Sequence, residues 1–118
     1  MGVLVAISIP IFTSQLAKAR LATNQANARA AYAAATTDYL MQDKNTSGAC
    51  YTYTTSNGTT TSAESAPEGV TIDNKHNDIS AWTTSTTFNG NAMGDKTYGK
   101  WYVELGSDGK VVGYGCDE

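Results

Sequence analysis

The sequence is poor in the residues that carry out most catalysis and metal binding. Its 118 residues include one histidine, His76, and two cysteines, Cys50 and Cys116. A serine or cysteine triad would have to use His76, and no serine lies in a nucleophile-elbow pattern. Zinc-ligand spacings, a phosphate-binding loop and a dinucleotide fingerprint are also missing. We therefore expect a protein that is not an enzyme and uses no metal and no cofactor.

Oxygen ligands at a spacing that suggests calcium occur in residues 73–78. This segment contains Asp73, Asn74, Asn77 and Asp78. An EF-hand loop also requires a central glycine and a terminal glutamate, and this segment has neither. The sequence therefore favours a solvated loop over a calcium site.

Acidic residues are missing from the first third of the chain. Before Asp38 the only charged side chains are Lys18, Arg20 and Arg29, which we call the stem charges. The first 37 residues thus carry a charge of +3 and the remainder carries −6. Phosphate neutralisation needs clustered lysines and arginines, which the acidic remainder lacks. No nucleic-acid partner is expected for that remainder.

Charged residues are also missing from the opening segment, residues 2–12, which we call the apolar stem. If helical, it is apolar on every side and must be covered by lipid or by other subunits. It is too short to span a bilayer, which needs about 20 apolar residues, and it lacks the basic region and cleavage site of a secretory signal. We expect the sequence to begin partway through a longer apolar segment. The stem positions are Gly2, Val3, Leu4, Val5, Ile7, Ile9, Pro10, Ile11 and Phe12.

A long helix is the clearest structural prediction. Neither glycine nor proline occurs between Leu16 and Met41, and ten of the nineteen residues from Ala17 to Ala35 are alanine, the strongest helix former. We predict one helical region over residues 1–42, with an Ala-rich part at 13–42 and a kink or local melting at Pro10. Such a helix is about 60 Å long, so its first half should project. Small residues form one narrow stripe at Ala19, Ala22, Ala26, Ala30 and Ala33.

The remaining residues, 43–118, are predicted to form a small antiparallel sheet, which we call the head. Polar turn formers at 43–48 end the helix. The residues expected to dock its last turns onto the sheet are Tyr32, Thr36, Tyr39, Leu40 and Met41. Residues 59–65 read as a polar loop. The fold class is therefore α+β, with a long N-terminal helix on a small sheet. Strands are predicted at 49–55, 69–72, 79–83 and 86–88, and a hairpin at 101–105 and 110–114.

The two cysteines enclose nearly all of the head. About 75 residues can bury only a modest core, so a covalent link is expected. A disulfide between Cys50 and Cys116 would close a loop of about 65 residues and contribute about 4 kcal/mol in the chain-entropy model. A bonded pair would also place the protein outside the cytoplasm. The alternative is two separate free thiols.

Two triplets fit the N-glycosylation acceptor pattern. They are Asn45-Thr46-Ser47 and Asn57-Gly58-Thr59. Such triplets also arise by chance in a threonine-rich sequence. The aromatic pairs of the head, which include Tyr51 with Tyr53 and Trp101 with Tyr102, are expected to pack in the core and not to stack on nucleic-acid bases.

The apolar stem runs into a basic, alanine-rich helix that carries Asn24, Asn27 and Arg29. This combination of an apolar helix, a proline at that depth and an immediate polar continuation resembles the N-terminal helix of type IV pilins. The likeness covers about residues 2–42. The wording Ile-Pro-Ile-Phe-Thr-Ser-Gln-Leu, from Ile9 to Leu16, is most similar to pilins of Gram-positive bacteria, clostridial ones in particular. The head matches that family only generically.

The resemblance implies a structural subunit that polymerises with itself through its N-terminal helix. It implies a membrane location before assembly, an extracellular pilus on the cell surface afterwards, and roles in adhesion, surface motility or biofilm formation. The implied partners are a prepilin peptidase, an assembly ATPase and a platform protein. The family's methylated first residue and its assembly glutamate have no counterpart here, so we expect the sequence to lack the first residues of the mature chain.

Two alternatives to a major pilin stay open. The first is a pseudopilin of a type II secretion or competence system that takes up DNA. The second is a membrane-anchored, secreted binding module. The stem charges Lys18, Arg20 and Arg29 are expected to be solvated and to pair between neighbouring subunits.

Overall fold

The computed structural model describes residues 2–41, 49–63, 65–106 and 108–117, with helix side chains described from Gln15 onward. The chain has the predicted α+β fold, in which one long N-terminal helix packs on a small antiparallel sheet. The helix is α1 (Gly2–Met41), and a short 3₁₀-helix spans Ile79–Ala81. The strands are β1 (Ala49–Thr54), β2 (Thr59–Ala63), β3 (Thr87–Phe88), β4 (Asn91–Ala92), β5 (Lys100–Leu105) and β6 (Val111–Asp117).

The helix α1 sets the long dimension of the molecule. Its 40 residues correspond to about 60 Å, and the molecule measures 63 × 26 × 25 Å. Leu21 packs against the hydrophobic core and Asn24 is fully buried in it, so the earlier turns project beyond the head. The backbone stays helical through Pro10, and the local melting predicted there is not present. The predicted end of the helix at 43–48 lies outside the described residues.

The described residues of the head form two antiparallel sheets. The larger has the strand order β2-β1-β5-β6, and the smaller is the two-stranded ribbon β3-β4. The predicted hairpin is confirmed as β5 and β6, with a bulge between Glu104 and Leu105. Its turn is closed by the amide of Gly106, which donates to the carbonyl of Lys110 over 2.9 Å.

Three head predictions are wrong. Residues 59–63 are not a loop but strand β2, paired with β1 from Thr54↔Thr59 to Cys50↔Ala63. Residues 69–72 are not a strand: they lie over β6, and Ile72 occupies the space that a side chain at Gly113 would need. Residues 79–81 form a 3₁₀-helix because the Asp78 side chain accepts a hydrogen bond from the amide of Ser80 and caps it.

The core lies between α1 and one face of the larger sheet. Trp82 stacks on Trp101 with ring centroids 5.8 Å apart, and Phe88 meets Trp82 edge-on at 4.8 Å. Such aromatic pairs each add about 1 kcal/mol beyond their buried area. The predicted packing role of Tyr51 is confirmed, since it is buried against this core. The helix contributes Ala28, Ala31, Ala35 and Tyr39 to the same cluster.

One buried polar side chain fastens the helix to the head. Asn24 is fully buried, and its Nδ2 donates to the carbonyls of Met93 (2.8 Å) and Lys96 (2.7 Å). Its Oδ1 accepts from the amide of Tyr98 at 3.2 Å. The side chain thus satisfies three backbone groups of residues 93–98, a segment that lies far from the helix in the sequence. We call this set of three hydrogen bonds the Asn24 clamp.

Replacing Asn24 by alanine should destabilise the fold strongly. The substitution leaves buried backbone groups without their partner, which should cost about 3 kcal/mol. Urea unfolding followed by tryptophan fluorescence measures the loss. The matched control is Asn27→Ala, one turn further along the same helix and only half-buried, which should stay within about 0.5 kcal/mol of the parent. Equal unfolding midpoints for the two variants would contradict the clamp.

The predicted disulfide is wrong: both cysteines are free and buried. Cys50 on β1 pairs with Glu104, whereas Cys116 on β6 pairs with Trp101, so strand β5 lies between them. Positions 104 and 101 are an odd number of residues apart, which puts the two thiols on opposite faces of the sheet. Two strand spacings alone separate the Cα atoms by about 10 Å, beyond the roughly 7 Å that a disulfide tolerates.

We expect the thiols to resist modification in the folded protein. Burial raises the pKa of Cys50 to about 11, with the nearby Glu104 adding to the effect. Burial also raises the pKa of the Cys116 thiol to about 12. A maleimide at pH 8 should therefore label neither thiol in buffer and both in urea, without any reductant. An unfolded chain that reacts only after reduction would show that the disulfide exists.

Candidate assembly surface

The helix α1 has two faces of opposite exposure. Ala28, Ala31 and Ala35 are fully buried against the head. The predicted stripe is exposed, and each of its members lies two residues, or about half a turn, from a buried or partly buried position. We call it the alanine stripe; it consists of Ala19, Ala22, Ala26, Ala30 and Ala33.

Large apolar side chains continue this face at the C-terminal end of the helix. Leu40 is 73% exposed and Met41 is 80% exposed. Of the five residues expected to dock the last turns, Tyr39 is buried and Thr36 is partly buried, while Tyr32 is 40% exposed. The expectation for Tyr32, Leu40 and Met41 is wrong, because the helical register turns them away from the sheet.

Polar groups on the alanine stripe are few and short. Thr37 lies one turn after Ala33, and its hydroxyl donates to the Ala33 carbonyl at 2.9 Å. This bond satisfies the hydroxyl within the helix. The face therefore offers a smooth surface that another backbone can approach closely.

Two of the stem charges, Lys18 and Arg29, border this face, whereas Arg20 lies on the side of the helix that carries the buried Asn24. Lys18 and Arg29 are exposed, and Arg20 is half-buried. Arg29 donates to the Ser80 hydroxyl at 3.2 Å. Within the described parts of the chain, none of the stem charges has a carboxylate partner. Pairing between subunits stays a prediction.

The apolar stem forms the first turns of α1. All of its predicted residues, Gly2 to Phe12, lie within the helix, but their side chains are outside the described residues. Across the described residues, no helix combines the length and the apolar character needed to cross a membrane.

The segment 73–78 is held together by its own hydrogen bonds. Asp73 Oδ1 accepts from the amides of Lys75 (2.6 Å) and His76 (3.1 Å), and its Oδ2 lies 3.1 Å from His76 Nδ1. The Asp73 backbone also pairs with Tyr114 on the edge of β6. Groups of three or more metal-ligating side chains do not occur in the part of the chain that the structure describes.

The Asp73 carboxylate stabilises this loop in its ionised form. Burial alone would raise its pKa, but the hydrogen bonds from Lys75 and His76 outweigh burial, so the pKa of Asp73 is lowered. A lowered pKa in the folded state means that the stabilisation is present above the unfolded-state pKa of about 4 and is lost as the pH falls further.

Asp73→Asn should lower the free energy of unfolding by about 1–2 kcal/mol at pH 7, because hydrogen bonds to a charged acceptor are lost. The difference from the parent should begin to shrink as the pH falls below about 4, and it should disappear only below the lowered pKa of Asp73, where the folded parent is also protonated. Thermal unfolding monitored by tryptophan fluorescence across this pH range measures both effects. Asp95→Asn, at an exposed position, is the control; a pH-independent difference for Asp73→Asn would contradict the argument.

Comparisons with protein-family models, with curated proteins and with solved structures find no match for this chain. The geometry above is therefore the basis for a functional argument, together with the resemblance of residues 2–42. Sequence reasoning located the alanine stripe and the stem charges, but it missed the Asn24 clamp. The only sequence signal for the clamp is the helical spacing that places the polar residue Asn24 on the same side of α1 as the buried alanines 28, 31 and 35.

Proposed function

We propose that the chain is a structural subunit of a type IV pilin-like filament and polymerises with itself through α1. The observation that carries the proposal is the exposed alanine stripe on a helix whose other face is buried in the head. A helix with small side chains on both faces can pack against its own head on one face, and the helix of a second subunit can approach the other face closely. The projecting turns provide the length for such contacts outside the head.

The energetics favour association through the apolar stem. Burial of its eleven residues at about 25 cal/mol per Å² gives each subunit on the order of ten kcal/mol before association costs. In the proposed filament the stems form the core and the acidic heads form the outer surface. Before assembly the apolar stem sits in the membrane, and the finished fibre is extracellular. A prepilin peptidase, an assembly ATPase and a platform protein are the proposed partners.

Because both cysteines are free, they do not support the extracellular location of the proposed fibre. A disulfide would have been independent evidence for an extracellular protein, and Cys50 and Cys116 do not form one. The extracellular part of the proposal therefore rests on the resemblance of residues 2–42 to pilin helices. The same layout suits a pseudopilin or a membrane-anchored binding module, and fibre formation distinguishes these candidates from a major pilin.

Ala26→Phe should abolish fibres without unfolding the subunit. Ala26 lies in the middle of the alanine stripe and is exposed, so a phenyl ring there obstructs the approach of another helix but leaves the core intact. Negative-stain microscopy of material sheared from cells that make the protein, with urea unfolding of the purified subunit, provides the measurement. The control is Ala81→Phe, the same change at an exposed alanine of the head.

Three outcomes are informative. Fibres from the parent and from Ala81→Phe, but not from Ala26→Phe, would support assembly through the stripe. Fibres from all three proteins would show that this face of α1 is not an interface. A parent protein that is abundant in the membrane and makes no fibres would contradict a major pilin and favour a pseudopilin or an anchored binding module.

A further inference from the structure

The triplet Asn57-Gly58-Thr59 forms the tip of the hairpin between β1 and β2. Residues 56–59 are all exposed, and Gly58 has φ +68°, a conformation that glycine adopts without strain. The Gly58 amide donates to the carbonyl of Thr54 at 2.8 Å, which closes the turn. An approaching enzyme therefore meets this triplet on the outside of a defined turn.

The side chains of the triplet are arranged around the Asn57 carboxamide. Its Oδ1 accepts two hydrogen bonds from Thr59, one from the backbone amide at 3.1 Å and one from the hydroxyl at 2.7 Å. Two donors on the carbonyl oxygen draw electron density from the amide and make its N–H groups more acidic. The Nδ2 atom has no hydrogen-bond partner within the described residues.

We propose that Asn57 is an N-glycosylation site, which accepts a saccharide from a phosphate-activated donor. The acceptor pattern requires a hydroxyl two residues after the asparagine, and here the Thr59 hydroxyl contacts the asparagine directly. This inference rests on the proposed function, because it needs the head to leave the cytoplasm or to meet a transferase at the membrane.

The reaction is a balanced group transfer. A bond forms between Asn57 Nδ2 and the anomeric carbon of the sugar, and the bond from that carbon to the phosphate oxygen breaks. The phosphate-bearing carrier leaves with the bonding electron pair, and the amide proton passes to a base of the transferase. No oxidant or reductant is needed.

The chain contains its own comparison site. Asn89-Gly90 is a second exposed Asn-Gly turn, between β3 and β4, in which Gly90 has φ +82°. The residue after it is Asn91, so this turn lacks the hydroxyl. Asn89 therefore reports spontaneous deamidation of an Asn-Gly turn under the same handling. The other acceptor triplet, at Asn45, lies outside the described residues.

The test is peptide mass spectrometry of the full chain isolated from its own cells. Enzymatic removal of N-glycans in heavy-oxygen water should convert Asn57 to heavy-labelled aspartate and leave Asn89 unlabelled. Intact mass should show saccharide increments on the parent and complete loss of them in Asn57→Gln and in Thr59→Val. Thr59→Ser, which keeps the hydroxyl, and Thr61→Val, the same change two residues further along β2, should both retain the increments.

An unmodified Asn57 in the native protein would overturn the proposal, and so would retention of the sugar in Thr59→Val. Loss in every variant, including Thr61→Val, would show that the changes act through folding, and it would equally count against a specific acceptor. Glycan on a protein that makes no fibres would support this site while rejecting the filament. Fibres built from unmodified subunits would do the reverse.

Discussion

Close contact between α1 and the sheet is the constraint on which the rest of the structure depends. Ala28, Ala31 and Ala35 are fully buried there, and their methyl groups keep the helix axis near the sheet. The large side chains of the core, above all Trp82 and Trp101, then come from the head and not from the helix. A helix that fills its contact face with alanine needs an anchor to fix its register, and the Asn24 clamp provides one.

Much of the fold could be predicted from local patterns. The helix followed from its alanine content, and the hairpin of β5 and β6 followed from two alternating arms around an Asp-Gly turn. Strand β2 was missed because Thr59–Ala63 is an exposed edge strand with no buried position to produce an alternating pattern. The apolar residues Val70 and Ile72 suggested a strand, but they pack over Gly113 and Gly115 of β6 instead. That cover depends on contacts between distant parts of the chain, which no local pattern reveals.

The candidate site shows the same limit. The spacing of the alanine stripe could be read from the sequence, yet alanines occupy both sides of α1, so hydropathy could not tell which side faces the head. In the structure, the buried alanines lie on the same side of the helix as Asn24 and Tyr39, and the alanine stripe lies on the opposite side. The disulfide prediction failed for a related reason. Cys50 and Cys116 enclose the head in sequence, but the sequence does not show which face of the sheet each thiol occupies. That is decided by their pairing with Glu104 and Trp101 of β5, three residues apart.

The position of the Asn24 clamp has a mechanical consequence. The clamp lies where the projecting part of α1 enters the head, and there the Asn24 side chain hydrogen-bonds to backbone groups of residues 93–98. A pull on the projecting end of the helix would reach these three hydrogen bonds before the buried alanines 28, 31 and 35. Tension on the stem would therefore pass into the segment 93–98 as well as into the alanine contact.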